Sequence, residues 1–260
     1  MNRIRIGLHG ASGRMGRAVR QLLDADDRLV LAAYAPDSND KHAAFFDALS
    51  RADEVDVVVD FSQPQAVVPL AETCAAAGVP LVSGTTGLNE EEMSRLQALA
   101  GQVAILWSPN MSRGVNLARR LVAQAARMLG EGWDVEVVEA HHRYKKDAPS
   151  GTALMLGQAV AEARGQAFAD VARLSREGRD CERMPGEIGF STIRGGDVVG
   201  EHQVLFLADG ERVEITHRIN QRSSFAAGAL ECALWLRNRP PGWYSFDQML
   251  ADKLGEPAGA

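Results

Sequence analysis

At 260 residues, with 46% hydrophobic and 24% charged side chains, the chain can bury one large core or two smaller ones, which excludes disordered and fibrous architectures. Its 34 Asp and Glu exceed its 28 Lys and Arg, and the net charge of -6 argues against a dedicated nucleic-acid binder, whose footprint would be basic. Cys74, Cys181 and Cys232 give neither a disulfide framework nor a C-x-x-C spacing, and no stretch approaches the ~20 apolar residues of a membrane helix, so the expectation is a soluble, cytoplasmic protein.

In chain order, short β-branched or aliphatic runs alternate with longer Ala/Leu segments of helical period, the pattern of βαβ units. Strands are predicted at 4–8, 29–34, 55–61, 80–83 and 103–107. Helices are predicted between them at 15–23, 43–49, 65–77 and 90–100, the last with Asn89 as its N-cap. This is an α/β half, a Rossmann-like, doubly wound parallel sheet. From Gly114 the pattern changes to a long helix (115–129), a strand (135–139), a polar basic stretch and a helix (153–163). A strand-rich run follows, in which 204–207 and 213–216 flank the hairpin signal Asp209-Gly210. A second, α+β domain is expected there. The Ala-rich helix 223–236 could lead back to the first domain, so the boundaries are 1–112 plus 223–260, and 113–222.

The first strand runs into Gly7-Leu-His-Gly10-Ala11-Ser12-Gly13-Arg14-Met15-Gly16. Glycines at such a turn let the backbone approach a pyrophosphate, and the amides of the following helix receive its charge. The G-x-x-G-x-x-G spacing is a variant of the dinucleotide fingerprint, and no Gly-Lys-Ser/Thr follows to make it a P-loop. An acidic residue some 20 positions on normally holds the ribose. Here the second strand ends Tyr34-Ala35-Pro36-Asp37, so Asp37 is the one candidate and the choice between NADH and NADPH stays open. Gly84-Thr85-Thr86-Gly87 and Ser108-Pro109-Asn110-Met111-Ser112 follow the fourth and fifth strands, at the rim where open α/β sheets bind ligands; a plain turn is the rival reading of each.

The densest stretch is Glu139-Ala-His141-His142-Arg143-Tyr144-Lys145-Lys146-Asp147-Ala-Pro149-Ser150-Gly151-Thr152-Ala153. In an acidic chain, this concentration of cations ahead of a helix start suits a small anion with more than one carboxylate or phosphate. A solvated basic loop is the bland alternative, weakened by the paired histidines, since histidine can deliver a proton near neutral pH. His9, His42, His202 and His217 read as structural or surface residues, Cys74 and Cys232 as core. No His/Asp/Glu set has metal spacing, so no metal is expected.

The same stretch closely resembles the signature of the 4-hydroxy-tetrahydrodipicolinate reductase family, the dihydrodipicolinate reductases of bacterial lysine biosynthesis. The resemblance extends over Gly10 to Gly16, Asp60-Phe61-Ser62, Gly84 to Gly87, Asn110 to Asn116, Ser175-Arg-Glu-Gly178, Gly200-Glu-His202 and Glu214-Ile-Thr-His217. It implies that His141 donates a proton, that Lys145 is the catalytic lysine, and that His142, Lys145, Gly151 and Thr152 hold the substrate carboxylates. Dinucleotide contacts carry over to Gly10, Ala11, Ser12, Gly13, Arg14, Met15, Gly84, Thr85, Thr86, Ser108, Pro109, Asn110 and Met111. The first domain would then bind NADH or NADPH, and the second would clamp a small cyclic imine dicarboxylate and build a homotetramer. Two departures stand out: the family's acidic ribose residue aligns with Ala35, beside Pro36, and Tyr144 replaces a common histidine. The rival readings are a dehydrogenase for another small dicarboxylate, against which the His-His-Arg-Tyr-Lys run speaks, and a redox-sensing dinucleotide binder without turnover.

Overall fold

The computed structural model describes residues 3–35, 42–51 and 54–255. The chain divides into two compact units, Met1–Ser112 with Arg222–Ala260, and Arg113–Gln221. It begins as a strict alternation of β1 (Ile4–His9), α1 (Arg14–Asp24), β2 (Leu29–Ala35), α2 (His42–Ser50), β3 (Val57–Asp60), α3 (Pro64–Ala77), β4 (Leu81–Ser83), α4 (Glu90–Leu99) and β5 (Ala104–Trp107). Local chemistry sets the helix ends. Asn89 and Glu92 form a reciprocal capping box with three glutamates in the first turn of α4, while α3 opens on Pro64 and stops at Gly78 in the left-handed region. β3 is shorter than the predicted 55–61, because the Asp56 carboxylate takes the Arg5 amide and guanidinium and the chain turns at Phe61.

The second unit contains α5 (Arg113–Leu129), β6 (Asp134–His141), α6 (Gly151–Ala163), α7 (Phe168–Val171), β7 (Ala172–Arg173), β8 (Ile188–Arg194), β9 (Gly200–Ala208) and β10 (Glu211–Ile219). The chain then returns to the first unit through α8 (Ser223–Leu236), β11 (Gly242–Tyr244) and α9 (Phe246–Leu254). α8 packs on α1 and on β3 to β5. Gly228 permits this, since a Cβ there would lie 1.8 Å from the Met111 carbonyl oxygen. The short β11, which pairs only Gly242 to Tyr244 with Ala104 to Leu106, has no periodicity to announce it, and neither it nor α9 was expected from the sequence.

In the first unit the order is β11-β5-β4-β3-β1-β2, and every pairing is parallel. One core, including Ile6, Leu8, Val57 and Val59, packs on α1, α8 and α9; the other, including Val58, Leu81 and Ile105, packs on α2, α3 and α4. Helices on both faces are why β3 reads as the continuous apolar run Val57-Val58-Val59, and why Ile6 and Leu8 of β1 are both fully buried. The strand order reverses between β1 and β3, so the carboxyl ends of these two strands form the topological switch where such sheets bind ligands. The second unit carries a mixed sheet, β10-β9-β6-β8-β7. β6 lies parallel to β8 and antiparallel to β9, and Gly210 (φ 79°) turns the two-residue hairpin between β9 and β10. α5 and α6 cover this sheet over Val135, Val137, Ile188, Phe190, Val204 and Phe206.

Candidate functional site

At the end of β1 the chain turns on Gly10, whose φ of 78° suits glycine and whose Cα approaches Phe61 so closely that a Cβ would stand 2.4 Å from the Phe61 carbonyl oxygen. Gly16 repeats the constraint within the turn, a Cβ there meeting the Gly10 oxygen at 2.2 Å. Gly13 is the N-cap of α1, no side chain caps it, and the first turn holds no carboxylate. Backbone donors at a positive helix end, approached through glycine, fit a pyrophosphate, so the donor set suits a dinucleotide. Ser12 and Arg14 are exposed beside it, Gly13 and Met15 are half-buried, and Ala11 is buried with its amide on the Ala35 carbonyl (3.0 Å). Ala35 is itself fully buried; Pro36, Asp37 and Lys41 lie outside the described residues.

A buried carboxylate organises the rest of this rim. Asp60 ends β3 directly across the switch from His9, which ends β1, and receives His9 Nδ1 (2.9 Å), Ser62 Oγ (2.6 Å), Ser83 Oγ (2.8 Å) and Thr85 Oγ1 (2.7 Å). Burial alone would raise the Asp60 carboxyl, but His9 and the hydroxyls of Ser62 and Thr85 outweigh it and hold the group below its ordinary pKa. His9, expected only to pack or hydrogen-bond in the turn, does both, stacking on Phe45 with ring centroids 5.6 Å apart. Thr85 is therefore committed to Asp60 through its hydroxyl, while Trp107 Nε1 donates to its carbonyl (2.9 Å) and Thr86 stays exposed. Ser108 Oγ donates to the Asn110 carbonyl, and Pro109 is exposed. Met111 is buried in the core, so its side chain faces away from any ligand at this rim and only its backbone is available.

In the second unit, β6 alternates strictly, placing Val135, Val137, Glu139 and His141 on the buried side. The first two join the core; the last two make a polar cluster. Glu139, 1% exposed, receives His141 Nδ1 on Oε2 (2.6 Å), the two terminal nitrogens of Arg194 on its two oxygens (2.7 Å each) and the Ser150 amide on Oε1 (3.0 Å). Register explains the meeting: Glu139 lies between Thr192 on β8 and His202 on β9, and His141 lies beside Arg194. Ser150 caps α6, accepting from the Ala153 amide, and its Oγ lies 3.0 Å from His202 Nε2. α6 thus begins at Gly151, two residues before the predicted start. Gly151 is exposed and nothing lies within 4 Å of a Cβ built on it. Thr152 follows in the first turn. Lys145 reaches back to Asp147 (2.9 Å), and His142 Nδ1 is buried without a hydrogen-bond partner among the described residues.

These surroundings set the protonation states. Burial pushes the His141 imidazole down; Glu139 pulls upward, Lys145 and Arg194 add to burial, and the net direction is below the ordinary value. Glu139, which burial would raise, is held down by Arg194, His141 and the Ser150 amide. His202 is pushed down to about 3, first by burial and then by His141. A neutral His141 whose Nδ1–H is committed to a carboxylate presents Nε2 to its surroundings, beside Lys145 and an α6 start suited to an anion. Sequence reasoning quoted Glu139 and Ser150 without giving them a role and did not select Arg194. The signal for Glu139 was present, an acid in phase with Val135 and Val137; Arg194, 55 residues away, had none. Among the described residues no cluster of His, Cys, Asp or Glu has the arrangement of a metal site, and no helix is long and apolar enough to cross a membrane.

Two family models match the chain: dihydrodipicolinate reductase, N-terminus, over residues 4–111, and dihydrodipicolinate reductase, C-terminus, over 114–250. The chain is 46% identical to the 4-hydroxy-tetrahydrodipicolinate reductase of Thiobacillus denitrificans, covering 96% of this chain and 99% of that protein. It is also 46% identical to the one of Halorhodospira halophila, covering 94% and 98%. Its fold is similar to a dipicolinate-bound dihydrodipicolinate reductase from Paenisporosarcina sp. TG-14, with a TM-score of 0.75, 23% identity, and coverage of 94% and 98%.

Proposed function

The chain belongs to the dihydrodipicolinate reductase family, and on that premise we propose how its residues divide the reaction. The reaction is the reduction of 4-hydroxy-2,3,4,5-tetrahydrodipicolinate, by way of dihydrodipicolinate, to 2,3,4,5-tetrahydrodipicolinate in the diaminopimelate route to lysine, with a nicotinamide nucleotide as reductant. The first unit takes the dinucleotide at the Gly10 to Met15 turn, Gly84 to Thr86 and Ser108 to Met111. When bound, the nicotinamide supplies the hydride.

The second unit takes the dicarboxylate. Lys145 supplies positive charge, His142 offers the buried, unpartnered Nδ1, and the α6 start at Gly151 and Thr152 supplies backbone donors. Hydride arrival leaves an electron pair on the ring, which a proton must quench, and His141 Nε2 delivers it. In the resting site the imidazole is held neutral by burial and by Lys145 and Arg194. A bound dianion offsets those two cations and favours the imidazolium, so the acid is charged where the substrate is present. The observation that carries this reading is His141 itself, 8% exposed, locked through Nδ1 onto Glu139 and next to the cationic segment.

With Ala35 where an acidic residue holds the ribose in this family, NADH and NADPH serve with a ratio of kcat/KM within about 100-fold, nearly 3 kcal/mol. A homotetramer assembled through the second unit is what the family resemblance implies, and light scattering checks it. A cytoplasmic location fits the three free thiols. The decisive experiment is a steady-state assay on enzymatically generated substrate with each cofactor, for the wild type, His141→Gln and Lys145→Ala. Both variants lose about 100-fold or more in turnover and keep cofactor affinity. Wild-type turnover in both, or cofactor oxidation indifferent to substrate, overturns the reading.

A further inference from the structure

Glu139 is dry and surrounded. It faces Arg194 and Thr192 on β8 and His202 on β9, and shares β6 with His141. Such a carboxylate, desolvated and meeting a bidentate guanidinium, is expensive to bury, and removing either partner leaves an unpaired charge in the interior. A hydrophobic pair would close the same space, so its presence calls for an account beyond packing. The geometry supplies one. The same two residues hold both ends of the segment that carries Lys145. At the near end Glu139 takes His141 Nδ1, and the Gly195 amide donates to the His141 carbonyl (3.0 Å). At the far end Arg194 donates to the Asp147 carbonyl (2.6 Å) and Glu139 takes the Ser150 amide.

We propose that Glu139, held by Arg194, is the positioning residue of the reduction: it orients the His141 ring so that Nε2 exchanges the proton with substrate, and it anchors both ends of the segment from His141 to Ser150. The proposal rests on His141 as proton donor. A carboxylate accepts and cannot donate, so Nδ1 carries the hydrogen and Nε2 is left as the exchanging atom, with Gly200 the neighbour that leaves it room. The charged and titratable groups bearing on the ring are Glu139 on its own strand, Arg194 on β8, His202 on β9, with its centroid 5.1 Å away, and Lys145 on the following segment; His217 on β10 acts on His202. Of these only Glu139 favours the imidazolium. Its loss therefore moves the alkaline limb of activity, where His141 loses its proton, toward lower pH.

The test begins on the wild-type protein, with the imidazole nitrogens labelled with nitrogen-15 and the His141 signal identified by its absence in His141→Gln. The expected spectrum at neutral pH has a protonated Nδ1 and a bare Nε2; a protonated Nε2 with a bare Nδ1 overturns the proposal whether or not any variant folds. The pH profiles of Glu139→Gln and Glu139→Asp follow. Glu139→Gln lowers kcat at least ~10-fold and moves the alkaline limb down by about one pH unit, Glu139→Asp restores part of that shift, and cofactor affinity stays within about twofold of wild type. A Glu139→Gln profile superimposable on wild type overturns the positioning role alone, provided His141→Gln has lost turnover; full turnover in His141→Gln overturns the reading of His141 instead.

Discussion

His202 shows how much a single buried ring can couple stability to pH. Its pKa is about 3 in the fold, against 6.5 in an unfolded chain, so between those values the unfolded chain binds the proton and the folded chain refuses it. The stability contributed by the neutral ring is therefore present above pH ~6.5 and is lost as pH falls toward 3. His141 and His217, both shifted down by burial first, add in the same direction. The carboxylates Asp56, Asp60 and Glu139 are shifted down from ordinary values that already lie below about pH 5, which leaves the range above it to histidine. Melting temperature is expected to fall between pH 7.5 and 5 in the wild type and to fall less in His202→Gln, which can keep a hydrogen bond to Ser150. Equal slopes for the two proteins would show that His202 is not the coupled group.

At the scale of elements, two helices each depend on a single residue, α6 on its N-cap and α8 on a glycine within it. α6 begins where Ser150 Oγ takes the Ala153 amide and contacts His202, so Ser150→Ala removes a cap worth about 1–2 kcal/mol and frees the helix start that the proposed carboxylate site uses. α8 depends on Gly228, where a Cβ would meet backbone at 1.8 Å, and backbone cannot step aside as a flexible side chain can. Gly228→Ala is expected to cost about 3 kcal/mol or more, whereas Gly132→Ala, with nothing within 4 Å of the added carbon, changes stability by less than about 0.5 kcal/mol. Urea unfolding of the three variants checks the ranking; a Gly228→Ala protein as stable as wild type would mean that α8 does not rest on Met111 as described.

For the whole molecule, the division into two units makes a separable expectation about ligands. Hydrogen exchange in the presence of NADH is expected to slow amides around 10–16, 84–86 and 108–111. Pyridine-2,6-dicarboxylate, a planar dianion without a reducible imine, is expected to slow those around 139–153. Protection by the dicarboxylate confined to the glycine turn would remove the substrate assignment from the second unit.

The features legible in the sequence are those with short range. Alternation along β1 to β5, the glycine spacing after β1, Asn89 at the start of α4 and Asp209-Gly210 between β9 and β10 involve residues a few positions apart, and the backbone's own periods of 2 and 3.6 write them into the chain. The composition of the central run marks it as an anion site, and the family resemblance singles out His141, His142, Lys145, Gly151 and Thr152 within it. Tertiary structure alone decided what those residues face. Asp60 collects His9, Ser83 and Thr85 from 51, 23 and 25 residues away, and Glu139 meets Arg194 across 55. Such pairings depend on which strands become neighbours and in which register, a choice made by burying apolar faces together across the whole sheet, so no local pattern around Asp60 or Glu139 carries it.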